Sequence, residues 1–167
     1  MDMKQPFEKL VELHGATVLR VCRAVVGRAE AEDVWQETFL AALRAYPDLP
    51  PEANTEAWLV TIAHRKSLDA MRSNGRRAVP IGDVPETPSP HGLPGSGDDG
   101  DGLWSSVARL PDKQRRVIAY RYLADLAFND IAAIVGGTPA AARRAASDGL
   151  KSLRTRLAAS QLEGESA

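Results

Sequence analysis

Polar and apolar positions along this 167-residue chain repeat with the period of an α-helix almost from the first residues. Phe7, Leu10, Val11, His14, Val18, Val21, Cys22 and Val25 recur at i, i+3, i+4, i+7 spacing and so share one helical face, which Gly27 is suited to stop. A second helix is predicted over about 29–46, with Val34, Trp35, Phe39, Ala42, Leu43 and Tyr46 as its apolar side. Pro47, Pro50 and Pro51 end it, because proline cannot continue the hydrogen-bond ladder. A third helix begins at Asn54 or Thr55, both good N-caps, and buries Trp58, Leu59, Ile62 and Leu68 before fading over 73–77. Beyond residue 103 the pattern resumes as shorter helices over about 103–109, 112–123, 128–135 and 138–158. No segment alternates with period two, so the expected fold class is all-α.

The most specific local signal is Ile134-Val135-Gly136-Gly137-Thr138-Pro139. A helix stops at glycine, Thr138 caps the next, and Pro139 takes the first helical position, where its missing N–H does no harm. Two helices joined by so short a turn, the second bearing bases, read as a helix-turn-helix. The clearest boundary is the stretch 78–103, which holds five of the eleven prolines, six of the thirteen glycines and few apolar groups. Such a composition cannot bury enough surface to offset the entropy of ordering, and it is expected to form a flexible linker. Two small helical domains follow: 1–77 and 104–158, with a tail over 159–167.

Charge changes this picture more by its distribution than by its sum of −1. Residues 1–77 balance 11 bases against 11 acids, and 78–103 carry no base but five acids: Asp83, Glu86, Asp98, Asp99 and Asp101. Residues 104–157 carry ten bases against four acids. On the last helix, Ala142, Ala146, Gly149, Leu150, Leu153 and Leu157 form the apolar face, and Ala140, Arg143, Arg144, Ser147, Lys151 and Arg154 the opposite one. Small residues near its start allow close backbone approach, and the arginines beyond them reach phosphates or guanine edges. On the second helix, Asp33, Gln36, Glu37 and Leu40 share one exposed face, which suits a basic partner helix better than nucleic acid. Residues 60–77 reverse the sign, with Arg65, Lys66, Arg72, Arg76 and Arg77 against Asp69 alone. A solvated charged face is the plainer reading of each stripe, and Trp58 fits the core better than a base-stacking platform.

Composition excludes several classes. No apolar run approaches the roughly 20 residues of a membrane span, no signal-peptide pattern opens the chain, and Cys22 alone forms no internal disulfide or thiolate cluster. A soluble cytoplasmic protein without cofactor or metal is expected. His14, His64 and His91 are scattered, no P-loop, GxGxxG or GxSxG occurs, and nothing on an open helix face would raise the pKa of Asp33 or Glu37 for acid–base work. His14 and Cys22 read as core residues, and no enzymatic activity is expected.

The run Ala31-Glu32-Asp33-Val34-Trp35-Gln36-Glu37-Thr38-Phe39-Leu40 resembles the AED-x-x-QE-x-FL signature of bacterial sigma factors. Trp58-Leu59-Val60-Thr61-Ile62-Ala63 with Leu68-Asp69-Ala70-Met71-Arg72 is similar to that family's WL-x-x-IA…LD-x-LR run. Leu110-Pro111-Asp112-Lys113-Gln114-Arg115-Arg116-Val117-Ile118 with Arg121-Tyr122 resembles the opening of the sigma C-terminal domain, and Ile131-Ala132-Ala133-Ile134-Val135-Gly136 the first helix of its helix-turn-helix. Two domains without further regions are the layout of the extracytoplasmic-function (ECF) group.

The resemblance implies a set of partners and roles. Asp33, Gln36, Glu37 and Leu40 would dock on the clamp helices of the largest subunit of core RNA polymerase, with the flap a further contact. Arg65, Lys66, Arg72, Arg76 and Arg77 would lie at the minus-ten element, which the third helix helps to melt. Thr138, Ala140, Ala141, Arg143, Arg144, Ser147 and Lys151 would meet the minus-thirty-five element. The acidic linker would thread the polymerase toward its active centre and RNA exit path, and an anti-sigma protein would mask the polymerase-binding faces. The chain departs from the family pattern at Arg65, often asparagine, and at Asp148, Gly149 and Ala127. Two other classes fit parts of the chain: a plain helix-turn-helix regulator, which leaves the acidic face unexplained, and a sigma-like decoy that holds polymerase without opening promoters.

Overall fold

The computed structural model describes residues 5–76 and 106–165, with side chains over 5–73 and 106–159. The described residues are helical, with α1 (Phe7–Val26), α2 (Arg28–Ala45), a single 3-10 turn (Tyr46–Asp48), α3 (Thr55–Arg76), α4 (Asp112–Tyr122), α5 (Phe128–Val135) and α6 (Pro139–Glu165). Chain contacts divide the protein into two units, Met1–Gly97 and Asp98–Ala167. The 78–103 stretch read as a linker lies outside the described residues.

In the first unit α1, α2 and α3 each pack on the other two. A single residue joins α1 to α2: Gly27, at φ 85°, where an L side chain would be strained. Its N–H closes α1 on the Arg23 carbonyl (3.0 Å), and its own carbonyl accepts the first bond of α2 from Ala31 (3.1 Å). The core gathers Leu10, Val18, Leu19 and Cys22 from α1, Ala31, Val34, Phe39 and Ala42 from α2, and Leu59 and Ala63 from α3. Each fully buried Leu or Val contributes about 1.5–3 kcal/mol against exposure. Phe7 links Phe39 (6.4 Å between ring centroids) to Tyr46 (5.5 Å), and Tyr46 continues to Trp58 (6.4 Å), so Trp58 belongs to the packing. Cys22 is buried and its thiol is pushed up to about 12 by desolvation, opposed by a backbone hydrogen bond, so it packs as a small hydrophobe.

The start of α3 is settled between the two candidates: Asn54 Oδ1 accepts from the N–H of Ala57 (3.1 Å). Two assignments of sides are corrected. Leu43, expected on the apolar face, is 50% exposed, because it follows Leu40 by three residues and shares its outward side. Val60, absent from the expected apolar set, is fully buried beside Leu59.

In the second unit α4, α5 and α6 pack around one another, with 106–108 as a helical turn ahead of α4. Val107, Leu110, Ile118 and Leu153 form its centre, with Leu150 against them. The last helix does not stop at 158 as expected but runs to Glu165. No proline interrupts 159–165, and its alanine, glutamine, leucine and glutamates are good helix formers, with the poor former Gly164 only at the very end.

Candidate polymerase and nucleic-acid interfaces

On α2 the buried side (Ala31, Val34, Thr38, Ala42) fixes the outer side by exclusion. Asp33, Gln36, Glu37 and Leu40 are all exposed on it, Leu40 at 56%, and Leu43 extends the apolar part by one turn. Trp35 is turned inward, its indole N–H donating to the Gly15 carbonyl of α1 (2.8 Å). Beside it lies a cleft of about 350 Å³ between α1 and α2, floored by Val11, Gly15, Ala16, Leu19 and Trp35 and edged by Glu12, Glu32 and Gln36. Gln36 therefore belongs both to the acidic stripe and to an apolar recess.

On α3, Arg65 and Arg72 are exposed and Lys66 is half-buried, while Leu59, Val60, Ala63 and Ser67 face inward. Asp69 is exposed among these bases. The side chain of Arg76, and Arg77 altogether, lie outside the described residues.

The second unit forms the expected helix-turn-helix. Gly136 (φ 90°) and Gly137 (φ 92°) make the turn between α5 and α6 in a region that side chains avoid. Thr138 Oγ1 then accepts from the N–H of Ala141 (3.1 Å), a side-chain N-cap, and Pro139 opens α6. Ala142, Ala146, Gly149 and Leu153 are buried, and Ala140, Arg143, Arg144, Ser147, Lys151 and Arg154 are exposed opposite them. Ala141 is half-buried, its N–H taken by the Thr138 cap. Among the described residues no ion pair joins Arg144 to Asp148. Ala127 caps α5 without a side-chain hydrogen bond, as its identity requires.

Gly149 receives an explanation that periodicity does not offer. A Cβ there would overlap Ile118 Cδ1 of α4 and stand 3.4 Å from Ile118 Cγ1 and 3.5 Å from Gln114 Cβ. The missing side chain lets α6 lie directly against α4, which sets the distance of the exposed basic face from the core.

Sequence reasoning missed two arrangements. Arg116, in the middle of α4, is only 2% exposed. Its Nε donates to both Asp112 carboxylate oxygens (3.1 and 3.0 Å), and Arg115 adds a 2.7 Å bond to the same group. Partial burial pushes the Asp112 carboxyl upward, but the hydrogen bond and charge of Arg116, then of Arg115, outweigh it and leave the group below its usual value. The second is an aromatic platform: Phe128 at the start of α5 carries the guanidinium carbons of Arg121 at 4.7 Å and Arg143 at 5.5 Å from its ring centroid. The i, i+4 spacing of Asp112 and Arg116 could have signalled the first. The second joins three helices and leaves no local pattern.

Among the described residues no three His, Cys, Asp or Glu converge in a metal-binding group, and no helix is long and apolar enough to cross a membrane. Two helical units, one with an acidic, leucine-bearing stripe beside a basic helix and one a helix-turn-helix with a basic outer face, define a DNA-binding transcription protein. Residues 10–77 match the family Sigma-70 region 2, and residues 107–155 match Sigma-70, region 4. The chain is 32% identical over 167 residues to the ECF RNA polymerase sigma factor SigD of Mycobacterium tuberculosis, covering 93% of this chain and 79% of that one. It is 30% identical over 171 residues to the RNA polymerase sigma factor CarQ of Myxococcus xanthus, covering 94% and 92%. The fold is that of the sigma factor RpoE, solved with the anti-sigma factor NepR from Bartonella quintana, at a TM-score of 0.77 and 22% identity over 90% of this chain and 96% of that one. The chain belongs to the ECF RNA polymerase sigma factors. It is an alternative sigma factor that directs promoter-specific transcription.

Proposed function

We propose that the two units divide initiation between them. The exposed stripe of Asp33, Gln36, Glu37 and Leu40 docks on the clamp helices of the polymerase largest subunit, with Leu43 enlarging its apolar part. Arg65, Lys66 and Arg72 on α3, with Arg76 and Arg77 beyond, track the minus-ten strand. Asparagine reads an adenine edge bidentately whereas arginine favours guanine or phosphate, so Arg65 shifts the minus-ten preference away from adenine. Thr138, Ala140, Ala141, Arg143, Arg144, Ser147 and Lys151 present α6 to the major groove at minus-thirty-five, the second unit lying near the polymerase flap. The acidic 78–103 stretch occupies a basic nucleic-acid channel of the polymerase without sequence-specific contacts. The protein performs no catalysis of its own, works in the cytoplasm where polymerase acts, and offers the docking stripe to an anti-sigma factor when transcription is to be withheld.

The observation that carries this reading is Leu40, 56% exposed at the end of an acidic stripe, a combination that no contact with DNA needs. Run-off transcription by core polymerase on fragments of the source genome tests it, comparing the natural chain with an Asp33→Arg/Glu37→Arg variant. The natural chain should start transcripts at discrete sites, and the double reversal should abolish them while leaving the helical fold intact. Transcripts that survive the reversal would move the docking surface elsewhere. Core binding without transcripts from any fragment would favour the decoy.

A further inference from the structure

We propose that Phe128 is a positioning residue for promoter recognition, its ring fixing the orientation from which Arg143 reads the minus-thirty-five element. The inference rests on the assignment of the outer face of α6 to that element.

Phe128 is the first residue of α5, half-buried, and follows Ala127 in an extended conformation. Arg121 ties this end of α5 to α4: its Nη1 donates to the Leu126 carbonyl (3.0 Å) while its guanidinium carbon lies 4.7 Å from the Phe128 centroid. The ring is thus part of a braced corner. Arg143, one turn into α6, lies over the same ring at 5.5 Å. It is exposed and makes no hydrogen bond or ion pair among the described residues.

The geometry has a chemical consequence. An aromatic ring attracts the face of a guanidinium and leaves its N–H donors, which lie in the plane, unspent. An arginine so held has already given up much of its rotamer freedom before DNA arrives, yet keeps the fork that matches guanine O6 and N7. Arg144, next in sequence, has no ring beneath it among the described residues and enters the groove as an unstacked charge suited to phosphate. The two adjacent arginines therefore differ in role: Arg143 confers base preference and Arg144 confers affinity.

The test uses the full chain with core polymerase and selection from a duplex library randomised over the minus-thirty-five element, followed by competition binding with the selected sequence. Phe128→Leu keeps an apolar side chain but removes the ring. It should flatten preference at one base-pair position and weaken the selected duplex about three- to tenfold, at the same position and in the same sense as Arg143→Ala. Phe128→Tyr should restore the preference. In the Phe128→Leu/Arg143→Ala double variant the two losses should not multiply, since both remove one contact. Multiplying losses would overturn the proposal, as would equal weakening on every sequence. Loss of preference with Arg143→Ala but none with Phe128→Leu would overturn the stacking role and leave the α6 assignment standing. No effect from either would overturn both. Thermal unfolding of each variant separates these outcomes from loss of fold.

Discussion

Asp112 shows how much a half-exposed side chain can hold in place. It stands in the first turn of α4, where a negative charge is favoured by the helix dipole, and receives both Arg115 and the buried Arg116. Without it a guanidinium 2% exposed would lose its carboxylate. Because its carboxyl sits below the ordinary 3.8, the unfolded chain takes up this proton at higher pH than the folded chain. Its contribution to stability is therefore complete above that ordinary value and is lost as pH falls through the folded one. Urea unfolding from about pH 6 to about pH 3 should find Asp112→Asn less stable than the natural chain at the upper end, with the difference closing toward the lower. A difference that stays constant with pH would mean that Arg116 is held by its other neighbours.

At the scale of elements, α6 against α4 is the contact that most constrains the DNA-binding unit. Gly149→Ala gains about 1 kcal/mol of helix propensity but meets Ile118, itself 2% exposed and packed among Val107, Leu110 and Leu153. Overpacking of that kind costs about 1–3 kcal/mol, so the substitution should lower stability. Ile118→Val removes the one atom that the new Cβ overlaps. Alone it should cost about 0.5–1.5 kcal/mol, yet in the Gly149→Ala background it should restore stability, a reversal of sign that thermal unfolding of the four variants would register. The same contact marks where sequence reading ends. Gly27, a cap at Asn54 or Thr55 and the Gly136-Gly137-Thr138-Pro139 turn are legible because their roles are local: a backbone angle, a cap, a missing donor. Periodicity also separates the faces of α6, except at Leu157, which is assigned to the apolar face but is exposed beyond the last buried residue, Leu153. It also sets Asp33, Gln36, Glu37 and Leu40 on one outer side. Leu43 was assigned to the wrong side because a broad apolar stripe does not say which leucine the neighbouring helix reaches. Gly149 stands in the sequence only as a departure from the family pattern, and Phe128 carries no signal there, because each derives its meaning from another helix. Arg116 differs, since its partner Asp112 lies one turn away on the same helix.

For the molecule as a whole, a net charge of −1 conceals ten bases against four acids over 104–157 and five acids without a base over 78–103. A polyanion on the same chain competes with DNA for a basic surface at high effective concentration. Changing Asp83, Glu86, Asp98, Asp99 and Asp101 to their amides should tighten binding of the free protein to non-specific duplex at low salt. The gain should vanish as salt screens both interactions, which fluorescence anisotropy over a salt series would follow. Equal affinities at every salt concentration would show that the acids do not reach the basic unit. On α6 the residues that hold the helix, Ala142, Ala146, Gly149 and Leu153, and the exposed ones that the proposed reading offers to DNA, Arg143, Arg144, Ser147 and Lys151, occupy opposite sides of one cylinder. Mutation on the outer side therefore spares the seam, so this lineage is free to drift from one set of target genes to another without first acquiring compensating changes in its interior.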